Sequence, residues 1–184
     1  MFVADEAGNG QEVLDKMWRN EYDVVLLDIS MPGRSGLDIL KQIKTERPKL
    51  SVLILSMYSE EQYAIRALRA GASGYMTKEG APDELIEAIR KVSQGRKYIS
   101  PSLAEKLAFS LESGSEKPPH ENLSDREYQV LCMIASGKTI KEIASDLSLS
   151  VKTISTYRSR ILEKMGMKSN AALTHYAVQN RLVE

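Results

Sequence analysis

At 184 residues, with 42% hydrophobic and 27% charged side chains, the chain carries enough apolar material for one sizeable core or two small ones, which excludes disorder along its whole length. A single Cys132 closes no internal disulfide and builds no cysteine zinc site, and His120 and His175 add little ligand capacity, so disulfide and structural-metal scaffolds are excluded. Net charge is zero but unevenly placed: residues 1–112 hold 15 basic and 17 acidic side chains, whereas residues 150–181 hold six basic ones (Lys152, Arg158, Arg160, Lys164, Lys168, Arg181) against Glu163 alone.

From the start of the chain, residues 1–10 lack the basic start and apolar run of a signal peptide, and no later stretch approaches the roughly 20 apolar residues of a membrane span. The expectation is a soluble, cytoplasmic protein without a membrane partner. Apolar runs of strand length then alternate with helical patterns: Tyr22–Asp28, Leu37–Thr45, Ser51–Ser56, Glu60–Ala70, Gly74–Thr77 and Pro82–Gln94, with a further helix over Pro101–Leu111. Alternation of this kind predicts an α/β unit, a parallel sheet covered on both faces, over residues 1–112. Residues 113–122 are polar, contain a Pro pair and lack apolar periodicity, and so read as a linker.

Residues 123–184 read as entirely helical. Ser124 and Glu127 form a capping box ahead of Val130, Leu131 and Ile134, and Gly137 ends that helix. Ile140, Ile143, Ala144 and Leu147 stripe a second helix. Ser150 caps a third, striped by Val151, Ile154, Ile161, Leu162 and Met165, and a fourth runs from about Asn170 to Asn180. The short turn 148–150 between the second and third gives the spacing of a helix-turn-helix, in an all-α four-helix unit.

Candidate chemistry in the first unit starts at Asp28, which closes an apolar run just before a Pro32-Gly33 turn. Parallel sheets gather ligands at the carboxyl ends of their strands. Ser56 and Lys78 follow the next two runs, so a carboxylate nucleophile, a hydroxyl and an ammonium can converge on one anionic group. In the second unit, Lys152, Ser155, Thr156, Ser159 and Arg160 fall on or near the open side of the third helix. Short hydroxyls between cations suit a helix entering the major groove, where base edges need close approach and phosphates need charge.

Residues 22–40, 51–72 and 74–102 resemble the receiver domain of bacterial two-component response regulators, a flavodoxin-like parallel sheet. The resemblance implies Asp28 as phosphoacceptor, Ser56 as the hydroxyl that turns toward the phosphoryl group, Tyr75 as the aromatic that moves with it, and Lys78 as the phosphoryl-contacting lysine. It also implies Mg²⁺ at Asp28 and the Ser30 carbonyl. The family's second strand and helix match Phe2–Ala7 and Gly10–Trp18, while its first strand, ending in two acids that hold Mg²⁺, and its first helix have no counterpart. Asp5 and Glu6 imitate the acidic pair, but only 23 positions separate Asp5 from Asp28, too few for the intervening elements. The expectation is an N-terminally truncated or rearranged receiver with unpaired sheet edges and weak or absent Mg²⁺ binding.

Residues 123–183 resemble the DNA-binding domain of the NarL/FixJ, or LuxR-type, regulators, through Leu123–Leu131, Gly137 with Lys141–Ala144, Ser150–Arg158 and Ile161–Met165. By that resemblance Ser155, Thr156 and Ser159 face bases, while Lys141, Lys152, Tyr157, Arg158, Arg160 and Lys164 position phosphates on double-stranded DNA; the alternative for Arg158 is a stem packed along the core edge. Relatives dimerise through the fourth helix, which puts Leu173, Tyr176 and Ala177 on a dimer stripe; the alternative for Leu173 is packing against the first helix of the same unit. The implied protein is a DNA-binding transcriptional response regulator, switched by a histidine kinase acting on Asp28, and not an enzyme beyond turnover of its own phosphoryl group. Two alternatives stand beside it: a phosphorylation-independent DNA binder whose shortened receiver is a dimerisation scaffold, and a phosphohydrolase using Asp28. The second lacks a neighbouring carboxylate to act as general acid.

Overall fold

The computed structural model describes residues 1–31, 33–112 and 118–183. They fall into two compact units, Met1–Ser113 and Gly114–Glu184. In the first, α1 (Gly10–Arg19), β1 (Val24–Asp28), α2 (Gly36–Glu46), β2 (Ser51–Ser56), α3 (Glu60–Arg69), β3 (Gly74–Thr77), α4 (Pro82–Ser93) and α5 (Pro101–Glu112) follow one another. The strands are parallel in the order β1-β2-β3. Crossovers between adjacent parallel strands are right-handed as a rule, which carries α2 and α3 to one face. There the in-register Leu27, Ile54 and Tyr75 are buried.

The opposite face shows why side-chain alternation matters. Leu53 and Met76 pack against Ala88 and Val92 of α4, with Leu85, Ile89 and Tyr98 at the margin. Leu26, the in-register neighbour of Leu53, lies on this same face but remains 44% exposed. Among the described residues β1 has a strand neighbour on one side only.

Residues 2–7 do not form the expected strand. A strand is held by its partner's ladder, and no described strand lies beside this segment. It is held instead by Lys16, whose ammonium donates to the Asp5 carboxylate and to the Glu6 carbonyl, leaving Phe2 and Val3 exposed. Helix α1 does form where expected, because Asn9 accepts the Glu12 amide at 3.0 Å as its N-cap.

The second unit comprises a 3₁₀ turn over Pro119–Asn122 followed by α6 (Asp125–Ala135), α7 (Ile140–Asp146), α8 (Val151–Met165) and α9 (Asn170–Gln179). Each start is written in a side chain. Ser124 with Glu127 and Thr139 with Glu142 close capping boxes on α6 and α7, while Ser150 and Ser169 cap α8 and α9. Gly166 ends α8 in the left-handed conformation at φ 65°. Val130, Leu131, Ile134, Ile143, Leu147, Ile154, Ile161 and Leu173 form the core. The expected parallel α/β unit and all-α helix-turn-helix unit are thus both present.

Of the expected linker 113–122, residues 113–117 lie outside the described residues, and Pro119–Asn122 is not a spacer. The 3₁₀ turn packs on α8, and His120 Nδ1 lies 2.8 Å from the Tyr176 hydroxyl. The Pro118-Pro119 pair sets φ for that turn, so a sequence that reads as linker folds back as structure.

Candidate phosphoacceptor site and nucleic-acid interface

Strand register builds the first site. Asp28 pairs with Leu55, and the next residue, Ser56, pairs with Thr77, so Asp28, Ser56 and Lys78 all emerge at the carboxyl edge of the sheet. The Asp28 Oδ1 accepts the Ser30 amide at 2.9 Å, fixing the carboxylate in a turn, and Oδ2 accepts from Lys78 Nζ at 2.5 Å. Lys78 is in turn placed by its backbone amide, which donates to the Ser56 carbonyl at 2.7 Å. Both charged side chains keep solvent access, at 36% for Lys78 and 27% for Asp28, so an incoming anion can reach the pair.

Ser56 is fully buried and its hydroxyl accepts the Tyr58 amide at 3.1 Å, which ties it to the loop leading into α3. Tyr75 is fully buried too. Its hydroxyl donates to the Tyr58 carbonyl at 2.7 Å, and burial pushes that hydroxyl's pKa well above its ordinary value. Tyr58 also stacks at 4.8 Å on Tyr63 of α3. One loop residue, Tyr58, therefore bonds both expected switch residues, donating its amide to Ser56 and accepting from Tyr75.

In the second unit, the fully buried Ile154 and Ile161 with the nearly buried Met165 fix the rotation of α8. The opposite side is exposed and carries Lys152, Ser155, Thr156, Ser159 and Arg160. Lys152, Thr156, Tyr157 and Arg160 line a shallow hollow with Ser150 and Thr153 at the start of the helix. The turn into α8 is closed by Ser148 at φ 53°.

With this geometry in place, two family descriptions fit the chain: "Response regulator receiver domain" over residues 1–90 and "Bacterial regulatory proteins, luxR family" over residues 121–177. The response regulator UvrY of Escherichia coli K12 is 35% identical over 181 residues, covering 98% of this chain and 83% of UvrY. The response regulator GacA of Pseudomonas aeruginosa is 37% identical over 183 residues, covering 99% and 86%. The chain belongs to the two-component response regulators. Its C-terminal unit is of the luxR type. A solved structure of RcsB from Salmonella enterica serovar Typhimurium, bound to promoter rprA with the phosphomimetic BeF₃⁻, matches at TM-score 0.55 and 27% identity, covering 91% of this chain and 81% of RcsB.

Within this response regulator, the residues expected at the two sites divide into groups. Asp28, Ser30, Ser56, Tyr75 and Lys78 come together at one sheet edge and the loops beyond it. Lys141, Lys152, Ser155, Thr156, Ser159 and Arg160 are exposed. Arg158 instead donates from Nε to Asn170 Oδ1 at 2.6 Å, and Lys164 Nζ lies 2.6 Å from Glu127 Oε2 in the α6 capping box. These two cations already have protein partners. Leu173 and Ala177 are fully buried in the core, because α9 packs against α6, so they are not outward dimer contacts. Tyr176 is half-buried against His120. The outward residues of α9 are Ala171, His175, Val178 and Gln179.

For Mg²⁺, the described residues that would hold the ion are Asp28 and the Ser30 carbonyl, with waters and phosphoryl oxygens completing its roughly six positions. Among the described residues no group of three or more His, Cys, Asp or Glu side chains gathers. Asp5 is engaged at the opposite, N-terminal approach to β1, where it accepts from Tyr22 at 2.6 Å, and this bond, with help from Lys16, holds its carboxyl below the usual range.

Sequence reasoning missed three residues that shape these sites. Gly36 starts α2 against the turn after Asp28, and a Cβ there would sit 2.0 Å from the Asp28 carbonyl oxygen. Its signal was a second glycine three residues after Gly33. Tyr58 receives the Tyr75 bond through its carbonyl, for which no side-chain pattern is diagnostic. Glu127, read only as a helix cap, is also the partner of Lys164.

Proposed function

We propose that this response regulator binds double-stranded DNA through α8, and that a sensor histidine kinase governs the binding by phosphorylating Asp28. In that step an Asp28 carboxylate oxygen attacks the phosphorus of phosphohistidine, an O–P bond forms, the P–N bond breaks, and the imidazole leaves. Lys78 is placed to neutralise the new charge, since its ammonium already sits against the carboxylate. Ser56 turns its hydroxyl toward the phosphoryl group, giving up the Tyr58 amide, and the loop that also accepts the Tyr75 bond moves with it.

On the DNA side, Lys141, Lys152, Tyr157 and Arg160 contact phosphates, and Ser155, Thr156 and Ser159 face bases. A second copy joined through α9 places two α8 helices about one duplex turn apart. The setting is the cytoplasm, where such a kinase and the chromosome are both accessible. No helix among the described residues is long and apolar enough to cross a membrane.

The observation that carries the reading is the 2.5 Å Lys78–Asp28 contact at the carboxyl edge of the sheet, on a chain whose other unit presents a cationic, hydroxyl-bearing recognition helix. The test is to treat the full chain with a small acyl phosphate and Mg²⁺, then measure labelling and duplex affinity. Labelling that disappears in Asp28→Ala, together with a changed affinity, supports the proposal. Equal affinity with and without label favours the phosphorylation-independent DNA binder.

A further inference from the structure

The open face of α8 presents three hydroxyls, and all three protons are already committed. Ser155 donates to the Val151 carbonyl at 2.9 Å, Thr156 to the Lys152 carbonyl at 3.0 Å, and Ser159 to the Ser155 carbonyl at 3.1 Å. A hydroxyl has one proton to give and two lone pairs to receive with. Each of these side chains therefore shows the solvent lone pairs only. Accepting a further bond leaves the helix contact intact, whereas donating outward means breaking it first.

The helix cannot turn to change what it shows. Ile154, Ile161 and Met165 anchor the far side in the core, and Ser155 and Ser159 fall one above the other at four-residue spacing with Thr156 beside them. Lys152 and Arg160 flank this group, so positive charge borders the hydroxyls without replacing them.

We propose that Ser155, Thr156 and Ser159 read base edges purely as acceptors, taking hydrogen bonds from exocyclic amino groups: the N4 amine of cytosine and the N6 amine of adenine. Guanine N7 and O6, adenine N7 and thymine O4 offer lone pairs to lone pairs and are not read by these residues. What the helix distinguishes is then which strand carries the amine at each step, and Lys152 and Arg160 are left for phosphates. This rests on the DNA-binding reading above.

The experiment uses the full chain and a duplex that it recovers itself from a random-sequence library. That duplex is resynthesised with single analogues. Purine for adenine and a pyrimidinone lacking N4 for cytosine remove the amine; 7-deazaguanine and 7-deazaadenine remove the N7 acceptor. At positions under α8, losing the amine weakens binding about fivefold, the equivalent of one neutral hydrogen bond. The matched Ser155→Ala, Thr156→Ala or Ser159→Ala variant no longer feels that loss, and the 7-deaza probes stay within about twofold of the parent. Melting curves check that the three exposed substitutions leave the fold intact. Sensitivity to the 7-deaza probes, or amine removal felt equally by wild type and the alanine variants, overturns the acceptor assignment alone. Recovery of no duplex at all overturns the DNA-binding reading and this inference with it.

Discussion

Replacing Lys164 with methionine separates two roles for the same cation, phosphate contact or internal brace. Its Nζ lies 2.6 Å from Glu127 Oε2, and that oxygen also accepts the Ser124 amide at 2.8 Å, so one atom holds both the α6 capping box and the end of α8. The Glu127 side chain is 4% exposed and that of Lys164 is 42% exposed. A hydrogen bond to a charged group contributes about 1.5–3 kcal/mol, and water around Lys164 screens part of it, so the expected loss is about 1–2 kcal/mol. Methionine keeps the apolar stem and removes only the ammonium. Urea unfolding followed by helical signal should show a lower midpoint at unchanged slope. Binding to duplex DNA should keep nearly the same salt dependence, because the ammonium is engaged within the protein. Unchanged stability together with a salt dependence flatter by about one unit would refute the brace and return Lys164 to the phosphate contacts.

Leu173→Ala should destabilise the second unit by about 2–5 kcal/mol, as for a fully buried leucine, while sedimentation shows no specific loss of self-association; the reverse pattern would restore Leu173 to a dimer face. Gly36→Ala drives a Cβ into the Asp28 carbonyl and should cost about 1–3 kcal/mol and slow labelling of Asp28, measured by melting and phosphodonor kinetics. Burial pushes the Glu127 carboxyl up, but the bonds from Lys164 and Ser124 outweigh it and leave the group below its ordinary 4.5. A carboxyl depressed by folding stabilises above its ordinary value and loses that contribution as pH falls through the folded one. Wild type should therefore lose melting temperature faster than Glu127→Gln as pH drops from about 5 to about 3.

The elements that the sequence displayed clearly were those whose signals are local. Asp28 and Ser56 closed apolar runs, and Ser124 with Glu127 and Ser150 marked helix starts, and each lies where that local chemistry put it. Readings that depended on a neighbour were less secure. Residues 2–7 match the family's second strand by resemblance, but strand formation needs a partner beside it, which no property of the segment itself reveals. The Leu173 and Ala177 stripe was legible as apolar, yet a stripe looks the same whether it faces a core or a second copy. Lys164 and Arg158 sat in a basic run, and only three-dimensional packing could show Glu127 and Asn170 reaching them. The convergence of Asp28, Ser56 and Lys78 was readable because parallel strands bring their carboxyl ends to one edge whatever the loops between them do.

Docking of α8 into duplex DNA under the control of Asp28 is tested by a salt titration of duplex affinity on the full chain, before and after acyl-phosphate treatment. The logarithm of affinity should fall linearly with the logarithm of salt, with a slope shallower by about one unit in Lys152→Ala and a shift on phosphorylation that Asp28→Ala abolishes. Affinity that ignores salt, or that shifts equally when Asp28 is alanine, would contradict it.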